Sequence, residues 1–221
     1  FSESYNEEAG AHFTSRDIIY LMTDILISEE KDVLINEGVV KTVYDQTMGT
    51  SQMLSAMQER LQMLDRDAEV TTFGQEINPK TFSIAKSDTM IRGGNPDNMK
   101  LGNTLTEDQF PGYTFDYCIS NPPFGVDWKA DLKKVEAEYA LGDKGRFGVG
   151  LPKKSDGQLL FLMEMVNKMK PLNQSPLGSR IASVHNGSSL FTGDAGGGES
   201  NIRRYIIEND WLEAIVQMPN N

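Results

Sequence analysis

Cysteine and histidine are almost absent from this chain, which has one cysteine and two histidines among 221 residues. A single thiol excludes a disulfide within the chain, and Cys118 lies in an apolar segment, where a thiol is usually buried and structural. One cysteine is also typical of a reducing, cytosolic compartment. His12 and His185 have neither a cysteine partner nor His-x-x-x-His spacing, so we expect no metal site.

Long hydrophobic runs and a basic charge are also lacking. No apolar run approaches the roughly 18 residues of a membrane helix, and no basic start precedes an apolar core, so the sequence predicts neither a membrane span nor a signal peptide. Lysine and arginine number 21 against 32 acidic residues, which gives a formal charge of −11. Because an acidic surface repels phosphate, a polynucleotide substrate would have to be brought by a more basic partner.

Apolar residues alternate between helix-like and strand-like periods along the chain. Helices are predicted at 15–26, 51–64, 79–91, 156–169 and 200–208, and strands at 39–45, 70–76, 99–105, 115–120, 180–185 and 211–218. Thr14 and Asp17 resemble a capping box before the first helix, and the charged, glycine-rich segment 127–150 is predicted to be a mobile loop. Strands that alternate with helices indicate an α/β fold with a doubly wound, mostly parallel sheet.

The ends of the chain are typical of a fragment of a larger protein. The sequence opens abruptly at Phe1 and stops at Asn221, just after the last predicted strand. That strand has no successor to pair with, so we expect the sheet to be incomplete at its C-terminal end, with an exposed apolar edge. Residues 1–221 are then expected to form one catalytic domain.

The strand predicted at 115–120 runs directly into Asn121-Pro122-Pro123-Phe124. The prolines lack an N–H, so the strand ends there and the carbonyl of Pro122 is freed from the sheet. That carbonyl and the Asn121 side-chain oxygen form a pair of acceptors beside an aromatic ring. Two acceptors that engage both hydrogens of an aromatic amine return the lone pair to its nitrogen, while Phe124 stacks on the ring. The motif therefore indicates methyl transfer to an exocyclic amine, although a strand terminator is the simpler alternative.

Polar residues also follow the other predicted strands. Asp45, Glu76 and Asn103 come at or near the ends of three of them, and Gly49 lies in the turn after the first. In a doubly wound sheet, ligands bind at the carboxyl ends of the strands, so these residues are candidates for a crevice that binds a nucleoside. For each carboxylate alone, a solvated strand end would be the simpler interpretation. A nicotinamide site is disfavoured because the turn has one glycine where Gly-x-Gly-x-x-Gly has three.

These motifs together resemble the modification subunits, DNA adenine-N6 methyltransferases, of type I restriction-modification systems. The similarity covers nearly the whole chain, in the family's order. Its segments are His12–Asp17, Asp45–Thr50, Phe73–Pro79, Leu101–Leu105, Phe115–Trp128, Asp156–Leu162, Ser179–Ala182 and Asn186–Arg204.

The resemblance implies a methyl donor, S-adenosylmethionine, and a flipped-out adenine as acceptor. It assigns Asn121, Pro122, Pro123 and Phe124 to catalysis. It implies that the donor contacts come from His12, Phe13, Thr14, Arg16, Asp45, Thr47, Gly49, Thr50, Glu76 and Asn103. It further implies a DNA specificity subunit and a restriction subunit as partners, contact with duplex DNA through that complex, and a place in the cytoplasm of a bacterium or archaeon. Family members have a helical region before this segment and more chain after it.

The chain departs from the family in the turn after the first strand. Family members commonly have proline after the acidic residue and further glycines in the turn, where this chain has Gln46, Met48, Ser51 and Gln52. Glycine there permits close backbone approach or a positive φ, so the departure bears on donor affinity. Two other functions therefore stay open: an amine or amide methyltransferase that acts on protein glutamine or RNA, and a scaffold that no longer binds the donor.

Overall fold

A five-stranded parallel sheet forms the centre of the protein. The computed structural model describes residues 14–29, 34–35, 38–175 and 178–219. The strands are β1 (Val40–Asp45), β2 (Glu69–Glu76), β3 (Met99–Leu101), β4 (Tyr117–Ser120) and β5 (Arg180–Ser183), and their spatial order is β3-β2-β1-β4-β5. Every pair of neighbouring strands is parallel. The winding therefore reverses between β1 and β4, where such sheets bind their ligands.

Helices cover both faces of the sheet. They are α1 (Arg16–Ser28), α2 (Gln52–Leu64), α3 (Pro79–Ile91), α4 (Leu132–Tyr139), α5 (Gln158–Asn167) and α6 (Gly198–Glu208). Helices α1, α2 and α3 share one core with Tyr117 and Ile119 of β4, whereas Cys118 packs on the other face against Met165 of α5. All four residues of β4 are buried, as expected of a central parallel strand. The predicted doubly wound α/β fold is confirmed.

The segment 127–150, predicted to be a loop, is instead folded. It contains α4 and two short 3₁₀ helices, Lys129–Asp131 and Gly142–Lys144. Val135 of α4 and Phe147 are fully buried and pack in one cluster with Trp128. Apolar side chains from three places in the segment therefore pack it against α5 and α6. The high charge of the segment had led to the prediction of a loop.

The structure contradicts two of the predicted strands, one of which is shorter than predicted and the other of which does not form. The strand predicted at 99–105 ends at Leu101 because Asn103 starts a turn, in which its side chain accepts from the Leu105 N–H and its carbonyl from the Thr106 N–H. The strand predicted at 211–218 is irregular, and its apolar side chains are exposed. Its alternating pattern suits a strand, but a strand also needs a paired backbone, and β5 remains at the edge of the sheet in the described part of the chain.

The predicted capping box before α1 is also wrong. Ser15, the N-cap residue, makes no capping hydrogen bond with its side chain. The hydroxyl of Thr14 instead accepts a hydrogen bond from the Asn121 side chain. Among the residues that the structure describes, no helix is long and apolar enough to cross a membrane.

Candidate active site

The polar side chains at the carboxyl edge of the sheet meet around β1. Asp45 ends β1, Glu76 ends the neighbouring β2, and Ser120 ends β4 on the other side. Since parallel strands all present their carboxyl ends at the same edge, the three residues lie side by side. The structure thus brings Asp45, Glu76 and the start of the Asn121 motif to one edge of the sheet, where sheets of this kind form their ligand crevice.

Asp45 is the most buried carboxyl group of this crevice, with 2% of the residue exposed. Its Oδ1 accepts hydrogen bonds from the Ser120 hydroxyl, at 2.7 Å, and from the Thr47 N–H, at 3.0 Å. Burial raises the pKa of Asp45 to about 7, although the hydrogen bonds from Ser120 and Thr47 act in the opposite direction. A nearby cation would therefore convert this group to the carboxylate near neutral pH.

Glu76 faces the turn that follows β1. Its Oε2 accepts from the Gly49 N–H at 3.0 Å, and its Oε1 accepts from the Asn78 N–H at 2.8 Å. Burial raises the pKa of Glu76, while backbone hydrogen bonds from Asn78, Gly49 and Ile77 lower it. An ionised carboxylate has about four acceptor sites, so at least one remains for a ligand.

Gly49 leaves open space beside these carboxyl groups. Its φ is +55°, and a Cβ built on it would meet no atom of the described chain within 4 Å. A left-handed φ and an unfilled Cβ position are what close approach of a ligand to the backbone requires. The crevice combines two acidic groups with open space, which fits a ligand that carries a positive charge and a diol.

The residues at which the turn departs from the family pattern anchor it through their side chains. Gln46 is buried, and its Nε2 donates to the carbonyl of Phe161 in α5 at 2.8 Å. The Gln46 carbonyl accepts from the Thr104 hydroxyl at 2.6 Å. Met48 packs over Gly74, where a Cβ would overlap the Met48 sulfur. The turn is therefore anchored to α5 and to β2 by side chains.

Ser51 is strained at the start of α2, and we expect Ser51→Gly to stabilise the fold. Its φ is +69°, in the left-handed region that costs a residue with a Cβ about 1–2 kcal/mol, and its buried hydroxyl has no hydrogen-bond partner in the described structure. After the entropy cost of glycine, we expect a gain of about 1 kcal/mol in the free energy of unfolding, measured by urea titration. Ser83→Gly, in the exposed interior of α3, should lose about 0.5–1 kcal/mol. A Ser51→Gly protein less stable than the parent would contradict this account.

Asn103 is held by contacts within the protein. Its Nδ2 donates to Asp131 at 3.0 Å, and its Oδ1 accepts from the Leu105 N–H at 3.0 Å. The side chain thus joins the turn after β3 to the 3₁₀ helix at Lys129–Asp131. Its predicted contact with an adenine edge stays a prediction.

The side chain of Asn121 has one bonded end and one free end. Its Nδ2 donates to the Thr14 hydroxyl at 2.8 Å, which fixes the orientation of the amide. Its Oδ1 is buried and has no hydrogen-bond partner among the described residues. A buried acceptor without a partner costs about 1–3 kcal/mol, so it indicates a donor that the described residues do not supply.

Most of the other predicted site residues lie after β4, in the turn after β1 and at the start of α1. Pro122 is buried, and Pro123 and Phe124 are half-buried directly after β4. Thr47 lies 2.8 Å from the Ser120 hydroxyl, Thr50 is buried in the same turn, and Arg16 is exposed at the first position of α1. The candidate donor contacts His12 and Phe13 lie outside the described residues.

Sequence reasoning missed a polar group at the end of β5. His185 Nδ1 lies 3.3 Å from the side-chain oxygen of Gln158, and burial lowers the pKa of His185 to about 4, so the ring is neutral. His185 Nε2 and Ser183 Oγ are buried without hydrogen-bond partners in the part of the chain described, like Asn121 Oδ1 directly after the adjacent strand β4. Nothing in the periodicity marked Gln158, which lay inside a predicted apolar helix.

Comparison with known proteins places this geometry in a family. Type I restriction enzyme methylase subunits are similar over 99% of the chain: the MjaIX subunit of Methanocaldococcus jannaschii is 26% identical, and the HindI subunit of Haemophilus influenzae is 27% identical. The chain spans 36% and 44% of the lengths of these two relatives.

Solved structures agree with the observed architecture. The methyltransferase subunit of a type I restriction-modification system from Streptococcus thermophilus superposes on 89% of the chain with a TM-score of 0.69 and 27% identity, over 38% of its own chain. A putative class I S-adenosylmethionine-dependent methyltransferase from Listeria monocytogenes, 16% identical over 86% of this chain and 49% of its own, has the same fold with a TM-score of 0.58. The sheet is therefore of the S-adenosylmethionine-dependent methyltransferase type. The sequence pattern of the N-6 DNA methylase family matches residues 1–221, and the chain belongs to that family.

Proposed function

We propose that this chain is the catalytic core of the modification subunit of a type I restriction-modification complex. In this role it transfers a methyl group from S-adenosylmethionine to the N6 amine of a flipped-out adenine in DNA. The observation that carries the proposal is the buried Oδ1 of Asn121, an oriented acceptor without a partner among the described residues, at the end of the strand beside the acidic crevice. Membership of the N-6 DNA methylase family supports the choice of acceptor.

The motif after β4 acts on the amine. Asn121 Oδ1 and the Pro122 carbonyl accept its two hydrogens, so the nitrogen becomes pyramidal and regains its lone pair. Because the Thr14 hydroxyl fixes the Asn121 amide, this acceptor is oriented before the substrate arrives. Phe124 stacks on the exposed face of the base, which replaces part of the stacking lost on flipping.

The crevice around β1 binds the methyl donor. S-adenosylmethionine, when bound, supplies an electrophilic methyl group on a sulfonium cation. Glu76 would hold the ribose by accepting from its hydroxyls with the acceptor capacity that remains, and the Gly49 turn would let the ligand approach the backbone. Asp45 and Glu76 give the crevice a negative potential that suits a cationic donor. The predicted contacts of His12, Phe13, Thr14, Arg16, Thr47, Thr50 and Asn103 belong to this part of the proposal.

DNA reaches the site through partner subunits. With a formal charge of −11, the chain repels the phosphate backbone, so a basic specificity subunit holds the duplex and finds the sequence. Both curated relatives are named as methylase subunits of type I restriction enzymes, which supports a specificity subunit and a restriction subunit as partners. The complex works in the cytoplasm, where bacterial and archaeal DNA lies.

Product analysis tests the proposed function. The complete subunit, co-purified with its specificity subunit, is given labelled S-adenosylmethionine and duplex DNA, and the nucleosides are separated after digestion. We expect label in N6-methyladenine. Label in protein glutamine or in RNA would support the other substrate classes, and a calorimetric titration that shows no donor binding would support the scaffold.

Donor binding is expected to depend on pH through Asp45. Because burial raises the pKa of Asp45 to about 7, part of the protein is protonated at this position below that pH. A bound cation favours the carboxylate, so binding releases a proton, and the affinity should rise as the pH increases towards about 7 and level off above it.

Calorimetry in two buffers of different ionisation enthalpy measures this proton release. At pH 6.5, the observed binding enthalpy should differ between the buffers, and Asp45→Asn should abolish the difference. Equal enthalpies in both buffers for the parent protein would show that Asp45 does not change its protonation on binding.

A further inference from the structure

The loop that carries Phe124 is joined to Asp156 at Gly125. The two prolines before Phe124 have no N–H to donate to the rest of the protein. The Gly125 N–H donates to Asp156 Oδ1 at 3.1 Å, and Gly125 has a left-handed φ of +67°. The Asp156 carboxylate therefore holds the residue that directly follows Phe124 and contributes to the position of the aromatic ring.

Asp156 is itself held by the first residue of α5. Its Oδ1 also accepts from the Gln158 backbone N–H at 3.2 Å, and its Oδ2 accepts from Gln158 Nε2 at 2.7 Å. Gln158 is 3% exposed, and its Nε2 also donates to the Ser188 hydroxyl at 3.0 Å. Gln158 Oε1 accepts from the Asn186 N–H at 3.1 Å. All the polar atoms of this amide are engaged, so Asp156 has one fixed orientation.

Further contacts join the same two segments. The Gly157 N–H donates to the Val126 carbonyl at 3.2 Å, and the Trp128 N–H donates to the Lys154 carbonyl at 3.0 Å. Trp128 is 2% exposed and packs against Gly157, where a Cβ would lie 3.2 Å from its ring. The chain after Phe124 is thus clamped to the start of α5, a helix buried against the sheet.

We propose that Asp156, locked by Gln158, is a positioning residue that sets the loop of Phe124 for capture of the flipped base. The inference rests on the proposed function and adds residues that act through the loop. Among the residues that the structure describes, neither side chain hydrogen-bonds to Asp45, Gly49 or Glu76 in the donor crevice. Loss of the hydrogen bond between Asp156 and Gly125 should therefore weaken capture of the flipped adenine and leave the binding of S-adenosylmethionine unchanged.

The test uses the complete complex and four variants. Asp156→Ala removes the anchor, whereas Asp156→Asn keeps one oxygen for the Gly125 N–H. Gly125→Ala disturbs the same anchor from the loop side, because its φ is unfavourable for alanine although no described atom lies within 4 Å of the new Cβ. Asp127→Ala is the matched control, since it removes an equal charge from an exposed carboxylate in the same loop, one that bonds Lys129 and not Gly125.

We expect Asp156→Ala to lower kcat/KM for DNA about 10- to 100-fold, as misplacement of a positioning group does. Asp156→Asn should restore only part of that loss, since its oxygen serves the Gly125 N–H while its Nδ2 faces the donor Nε2 of Gln158. Gly125→Ala should lower kcat/KM as Asp156→Ala does, and Asp127→Ala should stay near the parent. The dissociation constant for S-adenosylmethionine should be unchanged in all four proteins.

A mismatch opposite the target adenine separates positioning from general damage. A mismatched base flips at lower cost, so the mismatch should restore activity to Asp156→Ala by a larger factor than to the parent. An equal factor for both proteins, or an Asp156→Ala protein as active as the parent, would overturn the proposal. If Asp156→Ala does not fold, the effect of the mismatch is compared between Gly125→Ala and the parent instead, and the same two outcomes support or overturn the proposal. A parent complex that binds the donor but methylates no DNA would refute the proposed function instead.

Discussion

Asn121→Ala is expected to lower the rate of methyl transfer about 10²- to 10³-fold, which corresponds to about 2.7–4 kcal/mol at the transition state. The lost hydrogen bond strengthens as the amine nitrogen becomes pyramidal, so its removal raises the barrier more than it weakens substrate binding. Donor affinity should stay nearly unchanged, because the contacts of Asp45 and Glu76 do not include Asn121. Single-turnover methylation of duplex DNA by the complete complex, with excess enzyme, measures the effect on chemistry alone.

A matched control separates the role of Asn121 from a general effect of losing an amide. Asn173 is exposed in the turn after α5, and Asn173→Ala should leave the single-turnover rate at the parental value. Thr14→Val removes the hydroxyl that orients the Asn121 amide and should lower the rate by a smaller factor than Asn121→Ala. If the Asn121→Ala complex methylates adenine at the parental rate, the motif is only a turn and the proposed mechanism fails.

Local chemistry was sufficient to predict most of the elements. Helix α3 begins at Pro79 and ends at Ile91, as predicted, because Pro79 suits the first turn and the Asn78 side chain caps it by accepting from the Lys80 and Thr81 N–H groups. The order of strands and helices predicted a parallel sheet, and parallel strands bring their ends together. The meeting of Asp45, Glu76 and Asn121 at one edge follows from that topology alone.

The interactions that the sequence did not reveal depend on contacts between distant segments. The orientation of the Asn121 amide depends on Thr14, 107 positions away, whose hydroxyl accepts from Asn121 Nδ2. The 211–218 segment has a strand-like pattern without a paired neighbour, and pairing is a property of the sheet. Local periodicity cannot report either kind of contact.

Arg146 is buried, although the charged sequence around it predicts a mobile loop. It lies in the charged segment predicted to be a loop, yet only 7% of its side chain is exposed. Its guanidinium donates to Glu138 at 3.0 Å, to Glu164 at 3.0 Å and to the Thr104 carbonyl at 2.7 Å. Thr104 in turn donates to the carbonyl of Gln46 in the turn after β1. One buried cation therefore connects α4, α5 and the turn beside the donor crevice.

Arg146→Ala is expected to lower the free energy of unfolding by about 3–5 kcal/mol, as the loss of one partner from a buried ion pair does. The Glu164 side chain is fully buried, and its remaining cation, Lys168, is 3.8 Å away. Urea titration at neutral pH measures the loss. Arg204→Ala, which removes an exposed pair with Glu208, should change stability by less than about 1 kcal/mol.

The pH dependence of this loss identifies its cause. Burial already raises the pKa of Glu164, opposed by Arg146 and Lys168, so removal of Arg146 raises that pKa further. An acid whose folded pKa is raised destabilises the fold when it is ionised, and that penalty disappears as the pH falls towards the unfolded pKa of about 4.3. The difference between Arg146→Ala and the parent should therefore narrow from pH 7 to pH 5. If the difference in the free energy of unfolding were the same at pH 7 and pH 5, the loss would come from packing and from the unpaired Thr104 carbonyl. Equal urea midpoints for the two proteins at pH 7 would show that the buried network does not stabilise the fold.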